Sequence, residues 1–181
     1  ACAARLASPA CSLLLCEQEG LIGSHASSRN SEVMHAGIYY PPGSLKADLC
    51  VEGHLRLVAW CAQHHVPYRR IGKLLVAVEP AELLRLERLH DNARHCGVTS
   101  LQELDARQIN ALEPALHASA GLLSPDSSII DSHAYLQSLL ACAEQQGAQL
   151  ALHSRVECLQ RSAHGWRVAG VSQGEAFELE A

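Results

Sequence analysis

The run Leu13-Leu14-Leu15-Cys16-Glu17 does most to limit what this chain can fold into: it is a short apolar stretch closed by a carboxylate and preceded by the Ala-rich segment Ala1–Ala7. The Ala-rich segment reads as the back half of a helix, and the apolar run as a short buried strand. Helix, strand and an acidic residue at the strand end make up the second half of a βαβ dinucleotide-binding unit, in which the carboxylate accepts hydrogen bonds from ribose hydroxyls. The glycine fingerprint of such a unit would stand upstream of Ala1 and is not in the chain. A helix–strand pair ending in Glu is also common in ordinary α/β structure, so both readings stay open at this point.

The stretch His25–Tyr40, H-A-S-S-R-N-S-E-V-M-H-A-G-I-Y-Y, has neither helical nor strand periodicity. Small residues, an Arg, an Asn, a Glu and two His without a period describe either a loop shaped by what it binds or a polar connector. Beyond it, Pro41-Pro42-Gly43 is a stop, and Ser44 can cap a helix from Leu45 through His64. The apolar positions Leu45, Leu49, Val51, Leu55, Val58, Ala59 and Ala62 recur at helical spacing and predict a core face. Lys46 and Arg56 on that helix suit a solvated face, although Lys46, near the helix start, is also placed to meet an anionic ligand.

Gly72–Val78 reads as a strand, Pro80–Cys96 as a charged amphipathic helix ended by Gly97, and Leu101–Leu112 as a shorter helix with Ser100 as cap. Ala120–Pro125 and Ser128–Asp131 predict strand and turn, and Asp131 or Ser132 opens a helix through Gln146. Leu150–Leu152, Arg155–Leu159, Gly165–Val168 and Ala176–Leu179 predict strands, the last two joined around Gln173-Gly174. Alternating helices and strands make the chain α/β in class.

Composition narrows the function. Fourteen Lys plus Arg against nineteen Asp plus Glu give −5 with no basic block, so no nucleic-acid partner is expected. The eight cysteines lie scattered, with neither C-x-x-C nor zinc spacing, which reads as small buried hydrophobes in a reducing compartment and no metal site. The run Leu13–Leu15 is shorter than the roughly 7–15 apolar residues of a signal peptide, and nothing approaches the roughly 20 of a membrane span.

The order A-S-S-R-N-S-E-V-M-H-A-G-I-Y-Y-P-P-G-S-L-K-A, then L-C-V-E-G, then G-K-L-L-V-A-V-E, resembles the L-2-hydroxyglutarate dehydrogenase branch of the FAD-dependent, D-amino-acid-oxidase-like oxidoreductases, over nearly the whole chain. The resemblance implies a partial Rossmann-like FAD-binding domain with an inserted α+β substrate domain. The implied division is residues 1–66 and 125–181 for the FAD-binding domain and 67–124 for the substrate domain, with the phosphate loop before Ala1 and a second flavin-contacting loop after Ala181. It implies FAD as cofactor, with Glu17 on the ribose, Ala26, Ser27 and Ser28 near pyrophosphate and ring, Asn30 and Ser31 bordering the isoalloxazine, and Val156 at the adenine. A core-strand role for Val156 is compatible with the same position.

Oxidation of a 2-hydroxy acid needs a base for the hydroxyl proton, and His35, in the H-A-G-I-Y-Y signature, is the candidate, against a His that only orders the loop. A dicarboxylate substrate needs cations, for which Arg29, Lys46 and Lys73 are candidates, with Tyr40 a possible hydrogen-bonding partner. The resembled dehydrogenases usually carry Gly where this chain has Glu32, and a neutral residue or His where it has Arg29. Three functions follow as expectations. The first is FAD-dependent oxidation of L-2-hydroxyglutarate, or another small 2-hydroxy acid, to the 2-oxo acid, with quinone or oxygen as acceptor and a cytoplasmic location extending to the inner membrane face. The second is an amino-acid or amine oxidase on the same fold, and the third a truncated or scaffold protein without turnover.

Overall fold

The computed structural model describes residues 1–181. In chain order the elements are α1 (Cys2–Leu6), β1 (Leu14–Cys16), a 3-10 turn (Ala26–Ser28), β2 (Val33–Met34), α2 (Leu45–His64), β3 (Tyr68–Arg70), β4 (Lys73–Ala77) and α3 (Pro80–His95). There follow β5 (Gln102–Asp105), α4 (Ala106–Leu112), β6 (Ala120–Ser124), β7 (Ser128–Ile130), α5 (Ser132–Gln145), β8 (Gln149–Ala151), β9 (Ser154–Arg161), β10 (Trp166–Ser172) and β11 (Glu175–Glu180). They pack as two compact units, Ala1–Asn30 with Ser132–Ala181, and Ser31–Asp131. No helix is long and apolar enough to cross a membrane.

In the first unit β1 and β8 run parallel, pairing Leu14 with Gln149 and Cys16 with Ala151. Parallel strands need a crossover. Here α5 supplies the final leg: Gly147 takes φ 93° and lets the Ala148 N–H return to the Ala143 carbonyl at 3.0 Å, closing the helix and turning the chain into β8. Ala7, Ala143 and Ala148 form the buried core, with Ala3, Ala4 and Leu13 packed on it, so small side chains bring the helices close to the strands. Downstream, β9, β10 and β11 form an antiparallel meander. Gln173 (φ 51°) and Gly174 (φ 89°) make the tight β10–β11 turn that the Gln-Gly pair predicts.

The second unit holds two three-stranded antiparallel sheets, in the order β2-β7-β3 and β4-β6-β5. Its core is Ala36, Ile38, Ala93, Val98, Leu101 and Leu122, with Val51, Leu75 and Leu86 against it. Helix α2 starts where Ser44 Oγ accepts the Ala47 N–H at 3.2 Å and ends at His65 in the left-handed conformation, φ 55°.

Several expectations are corrected. The stripe read as the core face of α2 is largely solvent-facing: Leu45 is 72%, Leu49 56% and Leu55 66% exposed, while Ala47 and Cys61, both 1% exposed, turn inward. Small residues let α2 lie close, and the bulkier Leu residues are left outside. Leu101–Leu112 is not one helix. Residues 102–105 pair with β6 as strand β5, and the true cap is Asp105, which accepts the Gln108 N–H at 2.8 Å while Gln108 Oε1 accepts the Asp105 N–H at 2.9 Å. Cys2, Cys11 and Cys158 are exposed, against the reading of the thiols as buried hydrophobes. Packing is a separate matter from the functional division expected above: residues 31–66 pack with the second unit, because β2 pairs with β7 and the carbonyls of Ile38 and Tyr40 are held from α3.

Candidate active site

Glu17 stands at the C-terminal end of β1, where backbone hydrogen bonds hold it on both sides: its N–H donates to the Ala151 carbonyl at 2.9 Å and its carbonyl accepts the Ser154 N–H at 2.8 Å. One carboxylate oxygen accepts the Glu19 N–H at 2.9 Å, which fixes the side chain. Glu17 lines a cavity of about 190 Å³ whose other walls include Leu15, Gly23, Ser27, Leu136 and Ala143. Gly23, at φ 76°, comes so near α5 that a Cβ would lie 2.6 Å from Leu136 Cδ2. A larger residue there would be strained by the positive φ and would have to displace the Leu136 side chain.

The 3-10 turn carries Ala26, Ser27 and Ser28, all exposed, with Arg29 as its exposed C-cap. Asn30 Nδ2 donates to the Ser27 carbonyl at 2.8 Å and holds the turn from below. Val156 is 40% exposed on β9, paired across to Gly170 at a bulge. Ser27 thus shares a cavity with Glu17, and Val156 does not line it.

In the second unit Ser31 is exposed and Glu32 takes φ 54° before β2. The segment after β2 then sinks into the core: Ala36, Gly37 and Ile38 are buried, and a Cβ on Gly37, at φ 87°, would lie 2.5 Å from Val51 Cγ2. His35 is left at the rim. Its carbonyl accepts the Cys50 thiol at 3.7 Å, and burial pushes that thiol's pKa up. Partial burial of the His35 ring, and after it the charge of Lys73, hold its pKa below the ordinary 6.5. Lys73 Nζ lies 5.2 Å from the Tyr39 ring centre, and Lys46 Nζ 4.4 Å from that of Tyr40. The rings give each ammonium an electron-rich wall while leaving its N–H donors for an acid group.

The fold therefore brings His35 under the influence of Lys73 and places Tyr39 with Lys73 and Tyr40 with Lys46. Arg29, Asn30, Ala26, Ser27, Ser28, Glu17 and Val156 belong to the first unit; Ser31, His35, Tyr40, Lys46 and Lys73 belong to the second. Sequence reasoning missed Asn92. Its Nδ2 donates to the carbonyls of Ile38 (3.1 Å) and Tyr40 (2.9 Å), which sets the backbone between the two Tyr rings. Its place on a charged helix made it look like one more solvated polar residue, and no local signal marked it.

A family profile described as DAO, FAD dependent oxidoreductase, matches residues 1–180. The chain is 41% identical over 128 residues to the mitochondrial L-2-hydroxyglutarate dehydrogenase of Arabidopsis thaliana, covering 71% of this chain and 26% of that protein. It is 31% identical over 170 residues to the L-2-hydroxyglutarate dehydrogenase of Salmonella houtenae, covering 94% and 40%. This chain thus spans less than half the length of these relatives. The glycine oxidase of Geobacillus kaustophilus superposes with a TM-score of 0.82 over 99% of this chain and 50% of its own, at 19% identity, a likeness of fold. With the profile running from residue 1 to residue 180, the chain belongs to the family of FAD dependent oxidoreductases.

Proposed function

We propose that the protein carrying this chain oxidises a small 2-hydroxy acid, with L-2-hydroxyglutarate the best substrate, to the 2-oxo acid. The observation that carries this reading is in the second unit, where a His with a depressed pKa lies under the influence of Lys73, whose ammonium faces the Tyr39 ring as that of Lys46 faces the Tyr40 ring. The chemistry of the first unit fits FAD on its adenosine side. A Glu at a parallel strand end, its carboxylate held by the Glu19 N–H and the residue itself on the wall of a cavity, is an acceptor suited to a ribose diol. Glu17 would hold that ribose, the turn Ala26–Ser28 with Asn30 and Ser31 would flank the flavin, and the Val156 backbone would meet adenine. Bound FAD supplies the two-electron acceptor that the protein itself lacks.

His35, neutral at pH 7 because its pKa is low, accepts the substrate hydroxyl proton as the hydride leaves Cα. Lys46 and Lys73 hold the carboxylates as point charges, with Arg29 and Tyr40 as further donors. From the resemblance we also propose that residues 1–66 and 125–181 form the cofactor-binding domain and 67–124 the substrate domain, a functional division distinct from the two packing units, with His35, Tyr40 and Lys46 of the first part turned to the substrate. Quinone or oxygen takes the electrons onward, in the cytoplasm or at the inner face of a membrane.

Anaerobic mixing of the flavin-loaded full-length protein with L-2-hydroxyglutarate should bleach the flavin, and a panel of amino acids should not. The His35→Ala variant should bleach it at least about 100-fold more slowly. Reduction by an amino acid but not by the hydroxy acid, or an unaltered rate in His35→Ala, would refute the assignment.

A further inference from the structure

In the first unit, the chain between Glu17 and Ser28 curls along one cavity, on whose wall Glu17, Ile22, Gly23 and Ser27 all lie. Its two ends carry residues assigned above to FAD, Glu17 to the ribose and the turn Ala26–Ser28 to the flavin side. Between β1 and that turn the stretch is neither helix nor strand. The spacing of its ends therefore depends on turns and side-chain contacts rather than on a regular backbone ladder.

Glu19 makes contacts in three directions. Its N–H donates to the Glu17 carboxylate at 2.9 Å, and its carbonyl accepts the His153 N–H at 3.1 Å, which fixes it to the turn between β8 and β9. Its carboxylate reaches forward: Oε1 lies 3.0 Å from Nε2 of His25, six positions on. That contact leads the influences holding the Glu19 carboxyl below its ordinary 4.5, so at neutral pH the carboxylate only accepts and the His25 Nε2–H donates. Gln18 Nε2 donates to the same oxygen at 3.1 Å and helps to orient it. His25 in turn caps the 3-10 turn, its carbonyl accepting both the N–H and the hydroxyl of Ser28, each at 3.1 Å. A continuous path of hydrogen bonds thus runs from the Glu17 carboxylate through Glu19 and His25 to Ser28.

Both side chains of the pair are open to solvent, Glu19 39% and His25 68% exposed. An exposed ion pair adds little to global stability. Its place in the chain gives it another use, because restraining the stretch in advance leaves less ordering to occur when a ligand spans the two ends. We propose that Glu19 and His25 are a positioning pair for FAD, their contact holding Glu17 and the turn Ala26–Ser28 at the spacing the dinucleotide requires. This rests on the assignment of those two ends to FAD.

Titration of the flavin-stripped full-length protein with FAD, followed by quenching of flavin fluorescence, tests it. Glu19→Ala and His25→Ala should each raise the Kd about threefold to fivefold, the upper range of what an exposed pair supplies. The double variant should be no weaker than either single one, since both side chains act through one contact. Glu19→Gln, which keeps an acceptor for Nε2–H, should lie closer to the parent than Glu19→Ala. The urea midpoint of the flavin-free protein should stay near the parent's in every variant. Additive effects in the double variant, or a parent-like Kd in both single variants, would overturn the pair. A lowered midpoint or an unfolded variant would overturn it too, as the sign of a role in folding rather than in positioning. Glu17→Gln separates this from the underlying reading: parent-like FAD binding there refutes the ribose assignment, whereas weakened binding there beside additive effects at Glu19 and His25 refutes the pair alone.

Discussion

Glu32 and His35 show how single residues set the character of the proposed active-site loop. Glu32 adopts φ 54°, a conformation in which any side chain with a Cβ is strained by about 1–2 kcal/mol per residue. Glu32→Ala removes the side chain's contacts and keeps that strain, whereas Glu32→Gly removes both, so the Gly variant should be the more stable of the two by up to about 1–2 kcal/mol, less the cost of a more flexible unfolded chain. Urea denaturation separates the two, and equal losses would show that the backbone at residue 32 is not what matters. For His35 the direction of the shift decides the pH dependence. Its folded pKa is below 6.5, so between the two values the unfolded chain binds a proton that the folded chain does not. Stability therefore rises with pH across that window, is full above 6.5 and falls on acidification, and His54, shifted the same way, adds to the trend. Burial is the larger cause for His35 and Lys73 the second, so Lys73→Met should raise the His35 midpoint part of the way toward 6.5. An NMR titration of the His35 Cε1–H reads this, and an unmoved or lower midpoint would show that the Lys73 charge does not reach the ring.

Among the elements, α3 holds the loop that follows His35 through Asn92, and the thiol of Cys96 one turn on donates to the same Tyr40 carbonyl at 3.4 Å. Asn92→Ala leaves the Ile38 carbonyl without the side-chain donor that α3 supplies, so it should lose about 1–3 kcal/mol and expose the bond after Tyr39 to chymotrypsin. Urea unfolding with a timed digest checks both, and a parent-like digestion rate would mean the loop is held elsewhere. How far such elements were legible from sequence follows from the range of the forces behind them. Helix α2 was read to its first residue because Ser44 and the Pro-Pro-Gly stop before it act within one turn. The face it buries was misread, because the apolar period is the same whether the inward line is Leu45, Leu49 and Leu55 or the smaller Ala47 and Cys61, and only tertiary packing decides. Strand β5 was missed because its pairing with β6 is a long-range event, although the Asp105–Gln108 capping box was a local signal that the helix began later. The site divides the same way. Glu17 at a strand end and His35 in its motif could be named from sequence, while the Lys46–Tyr40 and Lys73–Tyr39 pairs exist only once α2, β4 and the loop have met.

At the scale of the whole molecule, the second unit is one continuous stretch, Ser31–Asp131, and it interrupts the first. Its ends are neighbours: the Ile130 N–H donates to the Glu32 carbonyl at 3.0 Å, and β2 and β3 both pair with β7. It has its own core in Ala36, Ile38, Ala93, Val98, Leu101 and Leu122, both its sheets are complete within it, and it is longer than the roughly 60 residues at which many domains fold alone. An inserted segment with adjacent ends and a private core has what independent folding requires. The excised Ser31–Asp131 polypeptide should therefore give a dispersed ¹H–¹⁵N spectrum and a cooperative urea transition, and its His35 and His54 resonances should titrate as they do in the full chain, since every influence on those two rings, Lys73, Asp126 and Arg70 included, lies within the segment. A collapsed spectrum without a transition would show that the core of the second unit needs the first. A folded segment with altered His midpoints would show that the environment of the two rings is completed from outside it.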